Sequence, residues 1–114
     1  MHRTFILNGH TVAIRKLRFA NNGSPQLMAY ELDEFDQPAE PYGKLLVNLN
    51  DTDIIWPEKQ EVFVDINRSY DSYMFLIENF LGMPGNSVGY SGWCVYPSFK
   101  LSDEVLETKD GDFI

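Results

Sequence analysis

Residues Ser69 to Gly82 read SYDSYMFLIENFLG, and they form the one convincing amphipathic helix pattern of the chain. Ser69 can cap the first turn, Gly82 suits the left-handed position after the last turn, and Pro84 follows where a helix cannot continue. The apolar residues recur at helical spacing along one stripe: Tyr70, Tyr73, Met74, Ile77, Phe80 and Leu81. The pattern predicts a helix that buries this stripe against a sheet.

The rest of the chain is typical of strands separated by turns. Asn8-Gly9 between two alternating segments predicts a two-residue hairpin, because a type I′ turn needs positive φ at both central positions. A change in the apolar alternation predicts a β-bulge at Arg15-Lys16. Further strands are expected over 26–33, 44–49, 61–66 and 90–96, loops over 34–42 and 83–89, a short helical turn over 101–106 and a loose end over 108–114.

These patterns predict one α+β domain over residues 1–114. Its expected fold is an antiparallel, meander-like β-sheet of five to six strands with one α-helix packed on one face. The chain length suits a single domain, and 44% hydrophobic with 14% aromatic residues are sufficient for a core.

The cellular location is predicted from what the sequence lacks. No apolar run reaches membrane-spanning length, and the N-terminus has no apolar region typical of a signal peptide. The single cysteine, Cys94, excludes a disulfide within the chain. We therefore expect a cytoplasmic protein that does not contact a membrane.

The charge is strongly acidic and unevenly distributed. The formal charge is −8, and because residues 1–20 contain four basic residues and no acid, the remainder has a formal charge of −12. This balance argues against direct binding to nucleic acid, and it permits a basic protein partner. A solvated acidic face is the simpler interpretation. The acids form two clusters, namely Glu31, Asp33, Glu34, Asp36 and Glu40, and then Asp103, Glu104, Glu107, Asp110 and Asp112.

No motif predicts a cofactor, a metal site or a catalytic centre. The glycine-rich segment 82–89 lacks the lysine of a phosphate-binding loop, and one cysteine with two distant histidines does not make a zinc site. Asp65 and Asn67 are expected to bind backbone amides ahead of the helix. A calcium site is not predicted either, because the polar residues that could supply oxygen ligands lack the spacing of a calcium-binding loop: Asn50, Asp51, Asp53 and Glu58.

Two aromatic residues have more than one interpretation. Phe75 lies off the helical stripe, so it is either covered by another element or exposed as a contact surface. Trp93 alternates with Cys94 in the aromatic segment 90–96, which favours core packing, with a groove for a peptide or flat ligand as the alternative. Cys94 itself is expected to be a small, buried apolar thiol.

Two blocks, VDIN at 64–67 and YSGWCVYP at 90–97, resemble segments of the bacterial domain-of-unknown-function 4313 family. The second block is similar to the family's Ser-Gly-aromatic-Cys-x-Tyr-Pro segment, with Trp93 where Phe is more usual. NNG at 21–23 and LVNL at 46–49 also resemble its earlier segments. The resemblance implies a single cytoplasmic domain of a kind often carried on plasmids, phage and conjugative elements. It supplies no activity for any residue.

The leading hypothesis is a non-enzymatic accessory protein that binds a macromolecular partner, and its specific version is a nucleic-acid mimic or host-defence inhibitor. The alternative is a small ligand-binding module or enzyme that uses the strand 90–96 with Cys94 and Asp65. A homo-oligomer formed through an open sheet edge or Phe75 is a third hypothesis. The predicted partner surface comprises Glu31, Asp33, Glu34, Asp36, Glu40, Phe75 and Trp93.

Overall fold

The computed structural model describes residues 2–20, 23–49 and 61–114. In chain order the elements of this part are β1 (Phe5–Leu7), β2 (His10–Arg18), β3 (Pro25–Leu32), β4 (Pro38–Lys44), β5 (Leu46–Val47), β6 (Glu61–Val64), α1 (Ser72–Glu78), β7 (Gly82–Ser91), β8 (Cys94–Leu101) and α2 (Asp103–Glu107). The strands form two antiparallel four-stranded sheets, in the orders β1-β2-β3-β4 and β5-β6-β8-β7. The α+β class is thereby confirmed, whereas a single sheet of five to six strands with one helix is not.

The first hairpin has the predicted turn. Leu7 pairs with His10 across Asn8-Gly9, and φ is 52° at Asn8 and 81° at Gly9. Positive φ at both central residues is what a type I′ turn requires. The local sequence therefore sets the register of β1 against β2.

The β-bulge expected at Arg15-Lys16 is wrong. β2 pairs with β3 without a register shift, so the alternation continues and places Lys16 on the buried face, where it is 1% exposed. Its Nζ donates hydrogen bonds of 2.8 Å to the carbonyl oxygens of Leu106 and Thr108 at the C-terminal end of α2. Burial lowers the pKa of Lys16 below its ordinary value of 10.5. Because α2 supplies acceptors for the ammonium, no bulge is needed.

The loop expected over 34–42 is wrong in its second half, because β4 begins at Pro38. β4 is an edge strand, and the nitrogens of Pro38 and Pro41 therefore remove no hydrogen bond from a central position. Leu45 follows β4 and is the point at which the chain passes to the second sheet. Its N–H donates to Leu27 O at 2.9 Å, and its carbonyl accepts from Asp65 N at 3.0 Å. The strand predicted over 44–49 is thus divided between two sheets.

Helix α1 is shorter than the predicted helix. Asp71, rather than Ser69, caps it by accepting a backbone N–H of the first turn. The helix ends at Glu78, and Phe80 adopts the left-handed conformation with φ of 58°, whereas Gly82 belongs to β7. The cap positions predicted from Ser69 and Gly82 are therefore wrong.

The buried face of α1 is rotated away from the predicted stripe. Phe75 is 5% exposed, and its ring meets that of Phe5 edge-on at 5.8 Å. Of the two interpretations left open for Phe75, coverage by another element is confirmed and exposure is wrong, because the first sheet covers this side of the helix. Of the predicted stripe, Tyr70 and Leu81 are buried, Tyr73 and Ile77 are half-buried, and Met74 and Phe80 are exposed.

A long hairpin replaces the predicted loop over 83–89 and the predicted strand over 90–96. β7 and β8 are joined at Gly92-Trp93, in the middle of the aromatic segment. Gly92 has φ of 59°, as the first central position of a type II′ turn requires. The aromatic residues are consequently divided between two strands and a turn.

The C-terminal segment is packed, so the loose end expected over 108–114 is wrong. Ile114 is buried; its N–H donates to Ile14 O at 2.8 Å, and its carbonyl accepts from Arg3 N at 2.7 Å. The short helix expected over 101–106 is present as α2. One hydrophobic cluster joins both sheets and both helices, with members that include Ile14, Leu46, Leu76, Phe99 and Val105.

Candidate partner-binding surface

The first acidic cluster lies on one hairpin, which we call the acidic hairpin (residues 31–40). Glu31 belongs to β3 and Glu40 to β4, and the turn between these strands contains Asp33, Glu34 and Asp36. All the acids that the sequence predicted for this surface are therefore brought together. Their proximity in space follows from their proximity in sequence, because a hairpin keeps neighbouring residues side by side.

The turn of the acidic hairpin is held by its own first aspartate. Asp33 Oδ1 accepts the backbone N–H groups of Phe35 at 2.8 Å and Gln37 at 3.0 Å, and Asp33 N donates to Gln37 O at 2.8 Å. Asp36 has φ of 60°, a conformation that aspartate tolerates better than most residues. The Asp33 carboxylate thus builds the turn, and it leaves Glu34 and Asp36 exposed.

Phe35 is exposed at the tip of the acidic hairpin, between Glu34 and Asp36. It has 74% of its surface accessible to solvent. The sequence predicts a loop for this segment and gives Phe35 no particular role. The signal that could have identified it is an aromatic residue flanked by acids within a turn, where no core position is available.

Two like charges face each other across the acidic hairpin. Glu31 is the cross-strand partner of Glu40. Glu31 Oε1 lies 2.8 Å from Nδ1 of His10, and both side chains are partly exposed. Like charges directly opposite each other in an antiparallel pair are unfavourable. The arrangement therefore concentrates negative charge at a cost to the stability of the hairpin.

The second acidic cluster is neutralised by the basic N-terminal segment. Residues 1–20 have a formal charge of +4 and residues 101–114 of −4, so the net −8 lies between them. Arg3 pairs with Glu104, and Arg18 Nε lies 2.8 Å from Asp110 Oδ2. In contrast, none of the ion pairs among the described residues joins a lysine or arginine to the acidic hairpin.

The two predicted aromatic members of the surface do not join the acidic hairpin. Phe75 is buried between α1 and the first sheet, so it presents nothing to a partner. Trp93 is fully exposed, but it lies at the tip of the β7–β8 hairpin in the second sheet. The core packing expected for Trp93 is therefore wrong.

A separate polar cluster surrounds Asn67. Its Nδ2 donates to Tyr96 Oη at 3.1 Å and to Cys94 Sγ at 3.3 Å, and its N–H donates to Asp65 Oδ1 at 3.1 Å. Asp65 Oδ2 also accepts from Arg68 Nε at 3.0 Å. The pKa of Tyr96 is raised above 10.0, chiefly by burial. Cys94 is a free, half-buried thiol.

Neither histidine is placed to activate Cys94. His10 contacts Glu31, and His2 Nε2 donates to the carbonyl oxygen of Asp36 at 2.9 Å. Both contacts lie in the region of the first sheet, whereas Cys94 begins β8 in the second sheet. The cluster around Asn67 therefore contains an amide, a thiol and a phenol, but no base paired with the thiol among the described contacts.

The described residues contain neither grouped metal ligands nor a membrane-spanning helix. Over 2–20, 23–49 and 61–114, no three His, Cys, Asp or Glu side chains are grouped so as to hold a metal ion. The polar segment that includes Asn50, Asp51, Asp53 and Glu58 lies outside the described residues. Neither α1 nor α2, the helices described, has the length and apolar content needed to cross a membrane.

Comparison with family models, curated proteins and solved structures finds no match to this chain. The resemblance to the domain-of-unknown-function 4313 family therefore stays a prediction.

Proposed function

We propose that this protein is a non-enzymatic accessory protein that binds a basic macromolecular partner through the acidic hairpin. The observation that supports the proposal is the exposed Phe35 at the tip of a hairpin that holds five acids, two of them directly opposed. An opposed Glu31–Glu40 pair weakens folding, and binding to a cationic surface would relieve their repulsion.

The acids and Phe35 have different roles in the proposed contact. Exposed carboxylates accelerate encounter with a basic surface and set the orientation of approach, while most of the binding energy in interfaces comes from a few buried anchors, often aromatic. Phe35 is the anchor, because its ring is free to enter an apolar pocket of the partner. Glu34 and Asp36 flank the ring and pair with the cations that surround such a pocket.

The specific form of the proposal is a nucleic-acid mimic or host-defence inhibitor, in which these carboxylates replace phosphates in a basic groove. The charge of the acidic hairpin supports this form, since no lysine or arginine pairs with it among the described residues, whereas Glu104 and Asp110 of the second cluster are paired with arginines. A cytoplasmic location belongs to the proposal because a single cysteine fits a reducing compartment, and an origin on a mobile element belongs to it through the family resemblance alone.

The test is a pull-down from the host lysate, followed by affinity measurement for the protein that is captured. The double variant Glu34→Gln/Asp36→Asn removes two exposed charges from the hairpin. The matched control, Asp103→Asn/Glu107→Gln, removes two exposed charges from α2. Phe35→Ser tests the anchor without changing the charge. The hairpin variant and Phe35→Ser are expected to lose affinity, whereas the control keeps it.

Salt dependence provides the second readout of the same experiment. Raising sodium chloride from about 50 mM to about 500 mM shortens the Debye length several-fold, so binding through exposed carboxylates should weaken strongly. Tight binding that is unchanged by salt contradicts the proposal. An equal loss of affinity in the control variant assigns binding to overall charge and rejects the hairpin as the site.

The alternative function, a small ligand-binding module or enzyme, is favoured by one observation. Asn67 gathers Cys94, Tyr96 and Asp65 into one cluster, as a site built on the segment 90–96 would require. Three surface cavities of about 390, 420 and 460 Å³ are lined by other residues. Replacement of Cys94 by Ser is the direct test. Loss of a phenotype with an unchanged fold would support this alternative, and an unchanged phenotype removes its catalytic form.

A further inference from the structure

A segment of 21 residues, 79–99, contains no Asp, Glu, Lys or Arg, although the chain has 26 such residues in total. This uncharged segment folds into most of the β7–β8 hairpin. The tip of this hairpin is apolar and exposed. Tyr90 is 62% exposed, Val88 and Val95 are about half exposed, and Trp93 is fully exposed. The Glu61 carboxylate contacts Asn86 and Ser87, but residues 88–95 at the end of the hairpin contribute no charged side chain on a protein that is otherwise strongly acidic.

β7 forms one edge of the second sheet, since β8 is its one neighbour among the described strands. Ser91 and Cys94 flank the two-residue turn, and in such hairpins the flanking residues form a hydrogen-bonded pair. Hydrogen-bonded and non-hydrogen-bonded pairs alternate in an antiparallel ladder, so the next pair, Tyr90 and Val95, is non-hydrogen-bonded. By the same alternation Val88, opposite Pro97, is also non-hydrogen-bonded. The backbone groups of Val88 and Tyr90 thus point outward at the edge.

The other sheet edges in the described part of the chain are poorly suited to pairing. β1 has three residues and β5 has two. β4 is longer, but Pro38 and Pro41 remove donors from it and Glu40 adds charge, which are common protections of edge strands. β7 has ten residues, and its proline, Pro84, lies before a register shift that precedes Val88. The segment 88–91 remains open to pairing.

The apolar side chains at this edge lie on the core side of the second sheet. Val95 is separated from Phe99 and Leu101 by an even number of residues along β8, so the three side chains share one face. Phe99 and Leu101 are buried in the main cluster, whereas Val95 and its neighbour Tyr90 continue the same face into solvent. A second apolar surface placed against this face would extend the core.

We propose that a second copy of this chain occupies the β7 edge, with the two β7 strands antiparallel about a two-fold axis. Such an axis lets the same strand edge pair with itself: when residue i of one chain contacts residue j of the other, residue j of the first chain contacts residue i of the second. The acidic surfaces of two chains of formal charge −8 repel each other, and the uncharged hairpin is where two copies meet with least repulsion. A basic partner gains no charge pairing from the side chains of residues 88–95.

This interface is independent of the acidic hairpin, and salt separates the two. Screening weakens binding between opposite charges, but it strengthens the association of two like-charged chains. The dimer should therefore become tighter at high salt, whereas partner binding through the acidic hairpin becomes weaker. Failure of one proposal leaves the other standing.

The test is the mass in solution by light scattering and analytical ultracentrifugation, over a range of concentrations and with a reducing agent to prevent bonding through Cys94. The wild-type chain is expected to shift from 13.1 kDa to twice that mass as concentration rises. Tyr90→Lys places a charge on the edge and is expected to stay monomeric. The matched control is Ile6→Lys, which alters a residue of equal exposure, 62%, on the edge strand β1 and should dimerise.

Three results would overturn the proposal. The first is a monomer at all concentrations in both low and high salt. The second is a Tyr90→Lys variant that dimerises as well as the wild-type chain. The third is a monomer that co-sediments with phosphatidylcholine vesicles through Trp93, which would make a lipid surface the occupant of the apolar edge.

Discussion

The side-chain amide of Gln26 pairs with the backbone of Leu46. Leu46 N donates to Gln26 Oε1 at 3.0 Å, and Gln26 Nε2 donates to Leu46 O at 2.9 Å. Gln26 is buried in β3 of the first sheet, and Leu46 begins β5 of the second. A side chain therefore makes, between the two sheets, the pair of hydrogen bonds that a neighbouring strand would make within one sheet.

Replacing Gln26 by Leu is expected to lower the free energy of unfolding by about 1–3 kcal/mol, because the backbone groups of Leu46 would be buried without partners. Urea denaturation measures this change. Gln37→Leu is the matched control at an exposed position, and its effect should stay within about 0.5 kcal/mol. Equal effects of the two substitutions would show that the bonds to Leu46 contribute nothing.

The burial of Lys16 predicts that the free energy of unfolding depends on pH. Burial lowers the pKa of Lys16 in the folded protein below 10.5, so between the lowered pKa and 10.5 the unfolded chain binds more protons than the folded one. Stability attributable to Lys16 should therefore rise as the pH increases through this window. The readout is the difference in the free energy of unfolding between the wild-type chain and Lys16→Met.

That difference should grow in favour of the wild-type chain as the pH rises from neutral toward 10.5. Lys100→Met, which removes an exposed lysine of β8, controls for the loss of one positive charge. A difference that falls with rising pH would contradict burial of the Lys16 ammonium against the carbonyls of Leu106 and Thr108.

Glu40→Gln should stabilise the fold while weakening the proposed partner contact. Removing one charge from the opposed Glu31–Glu40 pair is expected to raise the free energy of unfolding by about 0.2–1 kcal/mol at low salt, with a smaller gain at high salt. Thermal or urea denaturation at two salt concentrations measures this gain in the free energy of unfolding. Glu34→Gln, in the turn and without an opposed acid, should change stability less. No gain at Glu40 would mean that the two carboxylates do not repel.

Position 80 should tolerate glycine better than alanine. With φ of 58° it occupies the left-handed region, so Phe80→Gly is expected to be more stable than Phe80→Ala by about 1 kcal/mol. Met74, which is exposed inside α1, provides the control with the opposite sign, because glycine in a helix interior is about 1 kcal/mol worse than alanine. Denaturant unfolding of the four variants compares the two sites. The same order at both positions would rule out a left-handed Phe80.

Predictions succeeded where a few neighbouring residues decide the conformation. Asn8-Gly9 determines its hairpin because both residues accept positive φ, and the acidic hairpin gathers its acids because they are close in sequence. Predictions failed where a distant element supplies the partner. Lys16 finds its acceptors 90 and 92 residues away, so the local pattern could be explained only by a bulge.

The helix and the aromatic segment show the same limit. Apolar spacing located α1, but Phe75 became a core residue because the first sheet covers its side. Strand propensity located 90–96, but it could not distinguish one strand from a turn at Gly92 between two strands. For the candidate site, the acids were predictable, whereas the exposure of Phe35 was not.

By itself the sequence determined the α+β class, the first hairpin, the existence of α1 and the acidic character of the surface, since composition and local φ preferences do not depend on distant contacts. The tertiary structure alone decided the division into two sheets, the burial of Lys16 and Phe75, and the pairing of Glu104 with Arg3 and of Asp110 with Arg18. Each of these depends on which groups satisfy a buried charge, ring or amide. That choice is made between segments far apart in the chain.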